Sequence, residues 1–147
     1  MKKQFLLLCM FLFPGIVAGQ TDTTFWFVAP DVTSGHSDRP VSLRITSFDQ
    51  SSSVMITQPA NPGFTPINLT VPANDITSVD LSGRLNYIEN APPNTILNFG
   101  LLIEASSPVT AYYEVVSNGL NPDIFTLKGN NALGKSFIIP HQNIHPN

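Results

Sequence analysis

Residues 109–140 read VTAYYEVVSNGLNPDIFTLKGNNALGKSFIIP, and this stretch decides the fold. Val109, Ala111, Tyr113 and Val115 fall on one side of an extended chain, and Thr110, Tyr112 and Glu114 on the other, which is the pattern of a half-buried strand. Ser117-Asn118-Gly119 follows. Asn-Gly accepts the positive φ angles of tight turns, so a chain reversal is expected there. A second strand is predicted from Asp123 to Lys128 with Phe125 and Leu127 on one face, broken by Gly129-Asn130-Asn131. A third is predicted over residues 134–140, with Phe137 and Ile139 facing alike and Pro140 as its stop.

The same period of two recurs upstream. Leu97, Phe99, Leu101 and Ile103 alternate with Asn98, Gly100, Leu102 and Glu104, and Ser106-Ser107-Pro108 reads as the link to the next strand. Val41, Leu43 and Ile45 alternate with polar residues. Val54 and Ile56 do likewise after the turn-like residues 47–52, so residues 41–58 read as a hairpin. Ile67, Leu69 and Val71 form another inner face, and Pro72-Ala73-Asn74-Asp75 is expected to turn the chain before a weaker strand over residues 76–81. Asn68-Leu69-Thr70 matches the three-residue glycosylation pattern and is read as an ordinary strand exterior. Residues 82–94 suggest a helical turn ended by Ala91-Pro92-Pro93-Asn94. Phe25-Trp26-Phe27-Val28 is apolar on both faces and suggests a strand covered on both sides. About nine short strands at roughly ten-residue intervals, joined by Pro, Gly and Asn turns, predict an all-β antiparallel β-sandwich.

Several of these strings also carry a family resemblance. AYYEV, NPDIFTLKG and ALGKSFIIP, with the upstream FWFVAPDVTSGHSDRP, resemble the amino-terminal domain named after the IgG Fc-binding protein, in particular bacterial members found in large secreted proteins of Bacteroidetes type. The similarity runs from about residue 24 to the end. It implies a surface or secreted role and further domains of the same parent protein, and it brings no catalytic motif. Relatives continue well past the point where this chain stops, which suggests truncation at the carboxy-terminal end.

Composition narrows the function classes. With 42% apolar and 12% charged residues, the 147-residue chain suits a single folded domain. Met1-Lys2-Lys3 followed by an apolar run to Val17 and small residues to Gly19 reads as a signal peptide, residues 1–19, cleaved near Gly19-Gln20. The run is too short to span a bilayer, which takes about 20 apolar residues, so no membrane insertion of the mature chain is expected. Removal of the leader takes away the only Cys, Cys9, so the domain over residues 20–147 holds by packing without disulfides. Five basic residues then face ten acidic ones, a balance of −5 that leaves no basic stripe for nucleic acid.

The polar loop over residues 31–40 is the first place to look for chemistry. Ser34, His36 and Asp38 are triad residue types, but residues two apart in a loop do not align as nucleophile, base and orienter. Asp31 and Asp38 are hard oxygen ligands for calcium, yet the spacing of a helix-flanked calcium loop is missing. The preferred reading is a long turn held by side-chain to backbone bonds and by Arg39 pairing with an acid. His141 and His145 have the four-residue spacing of helical zinc ligands, between prolines in a segment too short for a helix. Glu104 and Glu114 would need to face each other across a cleft to cleave glycosides. No catalytic residue, metal or cofactor is therefore expected. Large amphipathic rings offer a better basis for contact, and Trp26, Tyr87, Tyr112 and Tyr113 are the rings that could stack on a sugar or fill a partner's pocket. Tyr112, facing out between Thr110 and Glu114, and Trp26 are the leading candidates, with Asp31, His36 and Asp38 as loop contacts. The expected function is a non-catalytic binding or adhesion module, secreted or on the cell surface, with a host or environmental glycoprotein or glycan as partner. A structural spacer and a secreted hydrolase are the alternatives.

Overall fold

The computed structural model describes residues 20–31, 40–92, 94–116 and 122–133. Among these are seven strands: β1 (Asp22–Phe27), β2 (Val41–Ser47), β3 (Ser52–Thr57), β4 (Ile67–Val71), β5 (Ile76–Asp80), β6 (Leu101–Val115) and β7 (Asp123–Thr126). A 3-10 turn, Ser82–Arg84, runs into the short helix α1 (Leu85–Ile88), and a second 3-10 turn covers Gly129–Ala132. The protein is all-β, and each pairing between these seven strands is antiparallel.

β6 is the axis. Odd-numbered residues from Leu101 to Val115 face inward and even-numbered ones outward, so the period of two persists for the whole strand. Val109 pairs with Asp22 on one side and Ser47 on the other, which places β1 and β2 on opposite edges of β6. Leu102 lies between Trp26 of β1 and Thr57 of β3, and Tyr112 between Arg44 of β2 and Thr126 of β7. One edge of β6 therefore carries β1 and β7, and the other carries β2 and β3, with β5 and β4 outside them.

This corrects the expected hairpin over residues 41–58. β2 and β3 both run antiparallel to β6, so the chain keeps its direction through residues 48–51. Nothing there supplies the positive φ that a two-residue reversal requires, because Phe48-Asp49-Gln50-Ser51 contains no Gly or Asn. The segment is a bulge. On β6, Val109 and Ala105 are four residues apart, while their partners Ser47 and Val54 are seven apart. Residues 72–75 do the same for β4 and β5, with Asn74 at φ 56°. The two bulges are joined, as Ser47 donates from its backbone to Asp75 (3.1 Å) and from its hydroxyl to the Pro72 carbonyl.

Ser106-Ser107-Pro108 is likewise continuous strand where a link between two strands was expected. Pro108 lacks an N–H, and it sits where the pairing on the β2–β3 edge breaks, so no ladder bond is lost. Ser52 stitches the corner, its buried hydroxyl donating to the Ser107 carbonyl (3.0 Å) and accepting from the Ser107 N–H (3.1 Å). Merging these two predicted strands, together with the predicted strand 134–140 lying outside the described residues, accounts for seven strands instead of nine.

The inner face builds the core in rows across the strands. Ile67, Ile56, Ile103 and Phe25 form one row, and Val79, Leu43, Tyr113 and Phe125 another. Phe27 from the first half of the sheet packs on Tyr113 in the second, at 4.8 Å between ring centroids. The sheet thus folds over on itself at the bulges, and the result is one barrel-like sheet in place of the two separate sheets of a sandwich. Asp22 ties the other side. Its carboxylate accepts from the backbone of Asn130 (2.6 Å) and its amide (3.0 Å), and from the backbone of Thr23 (2.7 Å). Gly129, at φ +55°, lies so close that an added Cβ would come within 2.5 Å of the Asp22 side chain.

β1 is covered on one face only. Phe25 is fully buried, whereas Trp26 is 57% and Val28 53% exposed, so the expectation of a strand covered on both sides fails. Hydropathy misleads there because the outward residues are themselves apolar. The reversal expected at Asn118-Gly119 is consistent with the antiparallel pairing of Val115 with Asp123, although the turn itself lies outside the described residues.

Candidate functional site

Tyr112 lies on the outer face of β6, half-buried, with Arg44 and Thr126 as its cross-strand neighbours. Arg44 reaches diagonally and donates from Nε to Oε2 of Glu114, so the ring stands beside a neutralised ion pair. Trp26 projects from the outer face of β1 opposite Leu102. The two rings do not form one site. Leu102 and Tyr112 are ten residues apart on β6, and the bend that brings the inner faces together turns the outer faces away from each other.

Asp31 is exposed at the edge of its loop. His36 and Asp38, with Ser34, Arg39, His141 and His145, lie outside the described residues, as does the leader over residues 1–19. Glu104 is paired with Thr24 and Met55, and Glu114 with Ser42 and Ile124 and in an ion pair with Arg44, so the two carboxylates are not set opposite each other as a glycosidase pair would be. Among the described residues no three His, Cys, Asp or Glu side chains gather to hold a metal ion. No described helix is long and apolar enough to cross a membrane.

Two surface grooves stand out. The first, of about 480 Å³, runs over the outer face of β4, β3 and β6, between Met55, Asn68, Thr70, Glu104 and Ser106. Asn68 of the glycosylation-like tripeptide is exposed there, as expected for a strand exterior. The groove is open and Glu104 is its single charged side chain, so it offers little to fix a ligand's orientation.

The second, of about 410 Å³, was not foreseen from sequence as a site. It lies between the loop after β3 and the helical turn after β5, and its walls are Gly63, Phe64, Thr65, Gly83, Arg84 and Tyr87. On the helical wall Leu85 and Ile88 are buried three residues apart. Arg84 and Tyr87, also three apart, consequently share the open side. The wall starts from a fixed point. Ser82 donates its N–H to Asp80 Oδ1 (2.8 Å), and hydrogen bonds from Ser82 hold the Asp80 carboxyl below the usual carboxylate range.

The loop wall is equally tied. Asn61 accepts through its side chain from Gly63 N–H (3.1 Å), and its own carbonyl accepts from Phe64 N–H (3.0 Å). Gln58 joins the walls. This buried side chain, 4% exposed, donates through Nε2 to the carbonyls of Tyr87 (2.6 Å) and Phe99 (2.9 Å) and accepts from Asn61 Nδ2 (2.9 Å). Across the groove Arg84 donates from Nη1 to the Thr65 carbonyl (3.1 Å) and stacks over the Phe64 ring, 5.2 Å from its centroid. A guanidinium and an exposed ring, 58% accessible at Tyr87, are thus held on a rigid frame. In sequence the hints are Tyr87 among the candidate stacking rings, a lone Arg after Gly83 and the Pro-Gly-rich residues 59–66, because cross-chain bonds from a Gln leave no periodic signal.

No protein-family profile matches the chain, and no curated protein matches it. Among solved structures, the Anabaena sensory rhodopsin transducer is similar over 62% of this chain and 91% of its own, at 23% identity and a TM-score of 0.39. Thermotoga maritima 1070 is similar over 73% of this chain and 96% of its own, at 18% identity and a TM-score of 0.40. Likenesses this weak say nothing of what the chain does.

Proposed function

We propose that this chain is a non-catalytic binding module, secreted or held at the cell surface, that recognises a protein or glycan by surface contact. The observation that carries the reading is the exposure of Trp26: the largest side chain type stands 57% accessible on a paired strand whose inward neighbour Phe25 is fully buried. An indole left in water on a rigid strand is the kind of group that dominates binding energy once a partner covers it. The signal-peptide pattern of residues 1–19, the acidic and cysteine-free remainder, and the strings that resemble the IgG Fc-binding amino-terminal domain support the same reading.

Glycan arrays and pull-downs with mucin, IgG Fc and other host glycoproteins test it. A partner is expected whose affinity falls at least tenfold in Trp26→Ala or Tyr112→Ala, about the loss of 1.4 kcal/mol or more, with unchanged thermal stability. A well-folded protein that bound nothing across the panel would favour a spacer role and overturn the reading.

A further inference from the structure

We propose that the groove between residues 63–65 and 83–87 is a binding site for a carboxylate-bearing sugar. The proposal takes its ligand class from the glycan branch of the reading above, but it uses neither Trp26 nor Tyr112. Three observations carry it. First, the cation is positioned before any ligand arrives. Arg84 is held by the Thr65 carbonyl and the Phe64 ring, both neutral partners, so its charge is retained at the groove. Donation from Nη1 leaves the Nε–Nη2 edge, two parallel N–H groups whose spacing fits the two oxygens of one carboxylate.

Second, Tyr87 presents an exposed ring on the same side of the helical turn. A sugar has apolar C–H faces that pack on such a ring, and Gly63, Thr65 and Gly83 line the groove as the polar surface its hydroxyls would meet. Third, the space suits the ligand. A groove of about 410 Å³ falls within the range of about 300–1,000 Å³ of small-molecule sites, large enough for one or two sugar rings. Gln58, bonded to both walls from a buried position, keeps the two halves at a fixed separation, so little ordering is left for binding to drive.

The test is titration of the purified protein with D-glucuronic acid, N-acetylneuraminic acid and a glucuronate-containing oligosaccharide, followed by amide chemical-shift changes. Methyl glucoside and glucose 6-sulfate serve as neutral and non-planar anionic controls. Saturable binding of the carboxylated sugars is expected, with shifts centred on residues 63–65 and 83–87. Affinity should fall at least tenfold in Arg84→Gln, fall less in Arg84→Lys, and weaken several-fold in Tyr87→Ala. Trp26→Ala should bind sugar like the parent. Because Arg84 also packs on Phe64, the exposed Tyr87 provides the variant whose folding is not in question. Equal binding of methyl glucoside, undiminished binding by both Arg84→Gln and Tyr87→Ala, or no saturable shift would overturn the proposal. Partner binding through Trp26 alongside no sugar binding would sink this inference and leave the broader reading standing. Sugar binding through Arg84, with no partner lost in Trp26→Ala or Tyr112→Ala, would uphold this inference and remove Trp26 as the contact that carries the broader reading.

Discussion

The rings of Phe27 and Tyr113 lie 4.8 Å apart, yet the residue paired with Phe27 on β6 is Leu101, twelve residues before Tyr113. Fully extended, that length of strand covers roughly 40 Å. Contact between the rings therefore requires β6 to bend, and it bends where the bulges at residues 48–51 and 72–75 relieve its neighbours. A double-mutant cycle with Phe27→Leu and Tyr113→Leu should give a coupling energy of about 0.5–1.5 kcal/mol in chemical denaturation. Additive losses would mean that the two halves of the sheet do not meet there.

Gly129 is the least replaceable position of the edge opposite the bulges. Its φ of +55° disfavours any side chain, and a Cβ would collide with Asp22. Gly129→Ala is expected to lower the unfolding free energy by about 1–3 kcal/mol, read from the denaturant midpoint. Asp22→Ala should relieve little of that penalty when combined with it, because the Asp22 Cβ that alanine keeps already lies 2.5 Å from the added Cβ and the positive φ at residue 129 persists.

Acid should loosen the same edge. Partial withdrawal from water acts to raise the Asp22 pKa, but N–H donation from Asn130, Thr23 and Thr24 outweighs it and leaves the carboxyl below its usual 3.8. A depressed folded-state value contributes stability that is complete above the unfolded pKa and is lost as pH falls through the folded one. Asp80 adds to the loss with the same sign. Stability should thus decline as pH drops below about 4, and Asp22→Asn should be less stable at neutral pH and shallower in its acid dependence.

Gln58 holds three segments with one buried side chain. Gln58→Leu leaves the carbonyls of Tyr87 and Phe99 without their donor, and each such buried group costs about 1–3 kcal/mol. The expected result is a marked drop in the thermal midpoint, with faster amide exchange at residues 61–64. An unchanged midpoint would show that water replaces the amide.

Much of this fold is legible in the sequence because burial follows a period of two. Val41, Leu43 and Ile45, and the odd positions from Leu101 to Val115, are inward as their alternation predicts. Direction is less legible. Phe48-Asp49-Gln50-Ser51 is polar enough to resemble a turn, and only its pairing partners reveal that the strand resumes its course. Pro108 misleads for a related reason, since a proline that ends most strands is harmless where a ladder already breaks. Tyr112 is outward as its parity requires. Trp26 is outward where hydropathy suggested cover on both sides, and the Arg84 groove is invisible because its members come from segments about twenty residues apart and are joined through a side-chain amide.

The most direct test of this architecture is a cross-strand nuclear Overhauser survey of the labelled protein. Contacts linking Ile45 with Ala111 and Ile56 with Ile103 are expected, so that β2 and β3 both lie beside β6 and run the same way. Cross-strand contacts between β2 and β3 themselves, as in a hairpin over residues 41–58, would contradict the single folded sheet.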